Sequence, residues 1–209
     1  MVTISSLKLS SPPTTTLSSP ESCPCTALQP ALQRAGLEGK EGLPRGQFIE
    51  LAGPWGGGKT RFLLSFLNEN PRFRVAWVQG DPQRLLEPGA FFSRESGISD
   101  PQKFLDRLWV IEPPTNQLWS CLHPLLRSQA LDVIIFQADA SGAAYAQETE
   151  LRRLQILARQ SRCLLFWLKE QPTRAGAWPI GIQLWVQDGE ASILKWGSQR
   201  NENILEVAK

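Results

Sequence analysis

The stretch Gly53-Pro54-Trp55-Gly56-Gly57-Gly58-Lys59-Thr60 satisfies every fixed position of the phosphate-loop pattern G-x-x-x-x-G-K-[ST]. Glycines at these positions let backbone N–H groups turn inward toward a phosphate. The free N–H groups of the helix that follows, which Arg61 extends, add partial positive charge. In that chemistry Lys59 bridges the β- and γ-phosphate oxygens of a nucleotide, ATP above all, and the hydroxyl of Thr60 ligates Mg²⁺. Trp55, inside the loop, either stacks on a ligand or shields the site. A glycine-rich turn with a chance lysine is the bland alternative, and the flanking residues weigh against it.

Those flanks are the elements that must hold the loop. Gln47-Phe48-Ile49-Glu50-Leu51-Ala52 reads as a strand entering it, and Arg61 to Leu67 as an apolar helix leaving it. Further strands are predicted over 72–79, with Phe73, Val75 and Trp77 on one face, and over 107–111, 131–136 and 163–168. Gly181–Gln187 and Ala191–Trp196 form a hairpin turning at Asp188-Gly189. Helices are expected at 26–35, stopped by Gly36, at 90–95, at 101–106, at 115–128 despite Pro124, and at 148–160, where Glu148 and Glu150 open the helix and Arg159 closes it in accord with its dipole. Strands alternating with helices indicate an α/β fold with a mostly parallel central sheet, flanked by helices and ending in an antiparallel hairpin.

An acidic residue at the carboxyl end of a strand beside the loop strand stands where open α/β sheets place their chemistry. Asp81 there either orients an attacking water or caps a turn. The run Leu131 to Phe136 occupies the place where a P-loop ATPase presents its second magnesium-side carboxylate, but the sequence puts Gln137 there, which can hydrogen-bond a metal-bound water and supplies no charge. Asp139 either substitutes for it or caps a loop or helix. His123 lies on a helix as a surface or packing residue.

The 209 residues suffice for one sizeable core, and 42% hydrophobic with 20% charged residues describe a globular protein. Residues 1–25 are a disordered lead rich in Ser, Thr and Pro, 26–200 a single nucleotide-binding domain and 201–209 a tail. A net charge of +2 does not by itself call for a polyanionic partner. The basic residues Arg152, Arg153, Arg159, Arg162, Lys169 and Arg174 could form a patch for DNA or for an acidic protein surface, or simply a solvated helix face. Cys23, Cys25, Cys121 and Cys163 lack paired metal-ligand spacing and read as thiols of a reducing compartment. With no signal-peptide pattern and no apolar run near the roughly 20 residues of a membrane span, a cytoplasmic location without membrane contact is expected.

Over roughly residues 40 to 200 the chain resembles the RecA family of P-loop ATPases. The stretches that carry this are Gly42-Leu43-Pro44-Arg45-Gly46-Gln47 through Thr60, Ala76-Trp77-Val78 leading to Asp81, and Ser128 to Ile135. Within that family it is most similar to the ImuA group of bacterial DNA-damage mutagenesis cassettes, through Glu150-Leu151-Arg152-Arg153-Leu154-Gln155-Ile156-Leu157-Ala158 and the strand Cys163 to Leu168. The resemblance implies a RecA-like core and an accessory role in error-prone, translesion DNA synthesis during the SOS response to DNA damage. It implies a partner resembling a Y-family polymerase (ImuB-type), an error-prone replicative-type polymerase, and contact with RecA. It also exposes departures: Asp81 where recombinases carry a catalytic Glu, Gln137 for the magnesium-side Asp, Lys169 at the γ-phosphate-sensing Gln, and short loops after Asp139 and Lys169. Nucleotide binding with slow or absent hydrolysis is therefore expected. A DNA-stimulated RecA-like ATPase in recombinational repair and a SulA-like inhibitor of a protein filament are the alternatives.

Overall fold

The computed structural model describes residues 21–79, 98, 100–114, 117–137, 148–173, 179–197 and 199–200. Strand β1 (Ser22–Pro24) leads through a 3₁₀ turn (Thr26–Leu28) into α1 (Gln29–Arg34), β2 (Gly42–Pro44), β3 (Phe48–Ala52) and α2 (Lys59–Glu69). There follow β4 (Val75–Gln79), α3 (Pro101–Leu105), β5 (Leu108–Ile111), α4 (Leu118–Arg127), β6 (Val133–Gln137) and α5 (Glu148–Ser161). The chain continues with β7 (Leu164–Lys169), β8 (Ile182–Gln187), β9 (Glu190–Trp196) and β10 (Gln199–Arg200).

Eight strands form one sheet in the order β10-β9-β8-β3-β7-β6-β4-β5. From β8 to β5 every pairing is parallel, and β9 and β10 add antiparallel to one edge. The β8–β9 turn has positive φ at Asp188 (53°) and Gly189 (82°), the twist a two-residue hairpin requires.

Both faces of the central strands are covered, so they read as continuous apolar runs. Alternate side chains serve opposite layers. Ile49, Leu51, Val75, Trp77, Val133, Ile135, Phe166 and Leu168 pack with Phe62, Leu63, Phe66 and Leu67 of α2. Phe48, Val78, Ile134, Phe136, Leu165 and Trp167 pack with Leu118, Leu122 and Leu126 of α4 and Leu151, Leu154 and Ala158 of α5. Burying each such large side chain contributes roughly 1.5–3 kcal/mol. Pro124 lies within α4, which runs on to Arg127.

Two polar devices fix the ends of these layers. Asp132, ahead of β6, accepts from Arg45 Nη1 at 3.1 Å and from the Arg74 backbone N–H at 3.0 Å. Arg107 donates to the carbonyls of Leu67 (2.9 Å), Asn70 (2.8 Å) and Phe73 (3.1 Å), closing the C-terminal end of α2.

Residues 22–25, assigned to the lead from composition, are part of the folded body. β1 pairs antiparallel with β2, and Cys23 and Cys25 are buried against α1 and α2. Three-residue strands are too short for an alternation signal, which is why neither was foreseen. The helix expected at 90–95 and the tail 201–209 lie outside the described residues. No helix among the described residues is long and apolar enough to cross a membrane.

Candidate functional site

β3 delivers the loop at the carboxyl edge of the sheet, and the β8–β9 turn forms its wall. The Gly189 N–H donates to the Gly57 carbonyl at 3.1 Å, and a Cβ on Gly53 would stand 2.0 Å from the Val186 carbonyl oxygen. Gly58, the N-cap of α2, has φ +94°, and a Cβ there would lie 2.9 Å from Gly189 Cα. Only glycine meets both demands. It also brings no side chain to cap the first-turn amides of α2.

Lys59 is buried at the first position of α2. Its Nζ donates to the carbonyls of Gly53 and of Pro54 (2.8 Å) and lies 5.1 Å from the Trp55 ring centre. The loop thus curls around an ammonium at a helix N-terminus, an arrangement that fits a phosphate group. Trp55 is 50% exposed over this ammonium. Thr60 follows on the same helical turn and Arg61 is exposed. Among the described residues no group of three or more His, Cys, Asp or Glu side chains gathers to hold a metal.

Two amides stand where the strands end beyond the loop. Gln79 closes β4, Gln137 closes β6, and the two are register partners. Gln137 is in turn level with Leu168, and Leu168 with Leu51. Two-residue alternation from Trp77 and Ile135 directs both amides to the α2 face. Gln79 is 6% exposed, and its Nε2 and Oε1, with Gln137 Nε2, are buried without a hydrogen-bond partner among the described residues. Each buried unpaired group costs about 1–3 kcal/mol.

Gln79 was not singled out from the sequence. A Gln at a strand end carries no motif, and its meaning comes from Gln137 across a register the sequence does not spell out. Asp81, Asp139 and Arg174, expected as catalytic or basic-patch residues, lie outside the described residues.

Lys169 pairs with Ala52 at the carboxyl edge, on the face away from α2. Its Nζ donates to Thr173 Oγ1 at 2.8 Å and lies 4.4 Å over the Trp167 ring. Burial pushes its ammonium pKa down, against an opposing pull from Glu50. Glu50 itself is fully buried and accepts from the Thr173 N–H and, at 3.5 Å, from Gln183 Nε2. Lys169 thus belongs to a polar knot that ties the segment after β7 to β3.

The basic residues grouped by sequence are divided in space. Arg152 pairs with Glu148, and Arg153 approaches Glu150 at 3.8 Å, each along one helix face. Gly46, which leads into β3, abuts the Arg159 backbone, so Arg159 and Arg162 sit at the sheet's amino edge, opposite the loop and Lys169. His123 of α4 contacts Glu150 of α5 and acts as an interhelical packing residue.

No family model matches the chain. It is similar to the protein RecA of Gluconacetobacter polyoxogenes, 32% identical over 101 residues, 48% of this chain and 27% of that one. To the protein RecA of Clostridium acetobutylicum it is 27% identical over 153 residues, 65% of this chain and 42% of that one. The chain thus spans less than half the length of these relatives. Its fold is like that in a crystal structure of the RadB recombinase, with a TM-score of 0.56 at 15% identity, covering 79% of this chain and 82% of that one. The α/β architecture is that of a RecA-type core.

Proposed function

We propose that the protein binds ATP at the 53–60 loop, hydrolyses it slowly or not at all, and acts as an ImuA-like, RecA-related accessory factor in damage-induced translesion synthesis. The observation that carries this reading is an intact phosphate loop beside amides, rather than carboxylates, at the ends of β4 and β6. Bound Mg²⁺ neutralises charge on the phosphates. Lys59 and the first-turn N–H groups of α2 hold those phosphates, and Thr60 offers a hydroxyl oxygen. Neither Gln79 nor Gln137 can take a proton from water or add negative charge beside a metal, so these two strand ends bind and orient without supplying a general base.

The translesion role rests on the similarity to RecA together with the ImuA-like segment Glu150 to Leu168. Its partners would be an ImuB-type polymerase protein, an error-prone replicative-type polymerase and RecA. Binding of a fluorescent ATP analogue with Mg²⁺ tests the first half. Lys59→Ala is expected to weaken it at least about tenfold, since a charged hydrogen-bonding group is lost, with little phosphate released by either protein. Rapid release would replace this reading with an ATPase. Co-purification with the two polymerases and with RecA tests the second half, and failure to bind any of them would remove it.

A further inference from the structure

We propose that Gln79 and Gln137 together form an uncharged receptor for the terminal phosphate of a nucleoside triphosphate anchored in the 53–60 loop. The inference rests on the nucleotide-binding reading above and assigns the end of the ligand to Gln137 and to Gln79, which no motif marks.

The two side chains are register partners at the carboxyl edge and share the face of the sheet on which α2 packs. Gln137 lies two strands from β3, on the order of 10 Å away, and Gln79 one strand further. That places them beyond the loop's own N–H groups, where only the far end of a ligand held in the loop can meet them. Between them they present two donors, Gln79 Nε2 and Gln137 Nε2, and one acceptor, Gln79 Oε1, that are unpaired among the described residues. Two N–H donors suit the oxygens of an anionic phosphate, and the acceptor suits a water bound to it.

The surrounding row explains why amides are conspicuous there. Leu184, Leu51 and Leu168 occupy the same level on the three strands before Gln137 and are packed in the α2 layer. A wholly apolar end to the row would have completed that core. Two amides there leave three buried polar atoms that a ligand can satisfy. Being uncharged, they do not repel phosphate oxygens, so retention of the triphosphate does not depend on a metal placed between them.

The test compares affinities for ADP and for a slowly hydrolysed ATP analogue in the wild type, Gln79→Leu, Gln137→Leu and the double variant, with thermal unfolding of each. The wild type is expected to prefer the triphosphate by about tenfold or more, and each Leu variant to lose about three- to tenfold of analogue affinity, with ADP affinity unchanged. An unchanged triphosphate-to-diphosphate ratio in the double variant, with ADP still bound, would overturn this proposal and leave the loop reading intact. Equal losses for both nucleotides would also overturn it. Failure of the wild type to bind either nucleotide would end both readings. Should the Leu variants not fold, Gln137→Asn, which withdraws the amide by one methylene, is expected to lower the ratio in the same way, and an unchanged ratio there would count against the proposal.

Discussion

Glu50 is a fully buried carboxyl in the strand that feeds the phosphate loop, and its partners come from the far end of the chain. Removing it strands the Thr173 N–H, while the Gln183 amide keeps its 3.2 Å bond to the Thr173 carbonyl, and a buried donor left unpaired costs about 1–3 kcal/mol. Glu50→Ala is therefore expected to lower unfolding free energy by at least that amount, as urea titration would measure, with the Lys169–Thr173 segment the first to gain hydrogen exchange. At this scale the sequence announced Lys59 and Thr60, because their spacing is a constraint of phosphate chemistry itself. It did not announce Glu50 or Gln79. A polar residue in an apolar strand acquires its role from partners that only folding brings near. Lys169 makes the converse point: adjacency in sequence grouped it with Arg159 and Arg162, while the length of β7 sets it at the opposite edge of the sheet.

Among elements, the loop and the β8–β9 hairpin act as one unit. Gly58 holds φ +94° while in contact with Gly189, so Gly58→Ala adds backbone strain and drives a methyl into the turn. Holding a non-glycine residue in the left-handed region costs on the order of 1–3 kcal/mol. The expected result is a loss of stability of that order, with nucleotide affinity falling further than the same substitution at Gly39 would cause, where a Cβ meets nothing within 4 Å. The strands and helices around the loop were legible because their periodicities are long: Phe73, Val75 and Trp77 on one face, and Leu151, Leu154 and Ala158 along one helix stripe. The β1–β2 pair was not, since three residues cannot display a period.

For the molecule as a whole, both packed layers contain a thiol that burial holds protonated. Burial pushes Cys25 up from 9.0 to about 12, and it raises Cys163 as well. A folded pKa above the unfolded one means the stabilisation is fully present below about pH 9, where both states keep the proton. It is lost as pH rises from there toward the folded value, because only the unfolded thiols ionise. Denaturation midpoints should accordingly fall above pH 9, and Cys163→Ala should flatten that decline while native protein at pH 8 resists alkylation at both sites.

The strand order has a further consequence for synthesis. Phe48–Ala52 is made early, yet its two neighbours in the sheet are Leu164–Lys169 and Ile182–Gln187, and the wall of its loop is Gly189. A chain emerging from the ribosome therefore carries the phosphate-loop sequence long before it carries the strands that shape it, and these non-local pairings cannot form until those strands are made. On the proposed nucleotide-binding reading, ligand capture would begin only once the hairpin that walls the loop has left the exit tunnel.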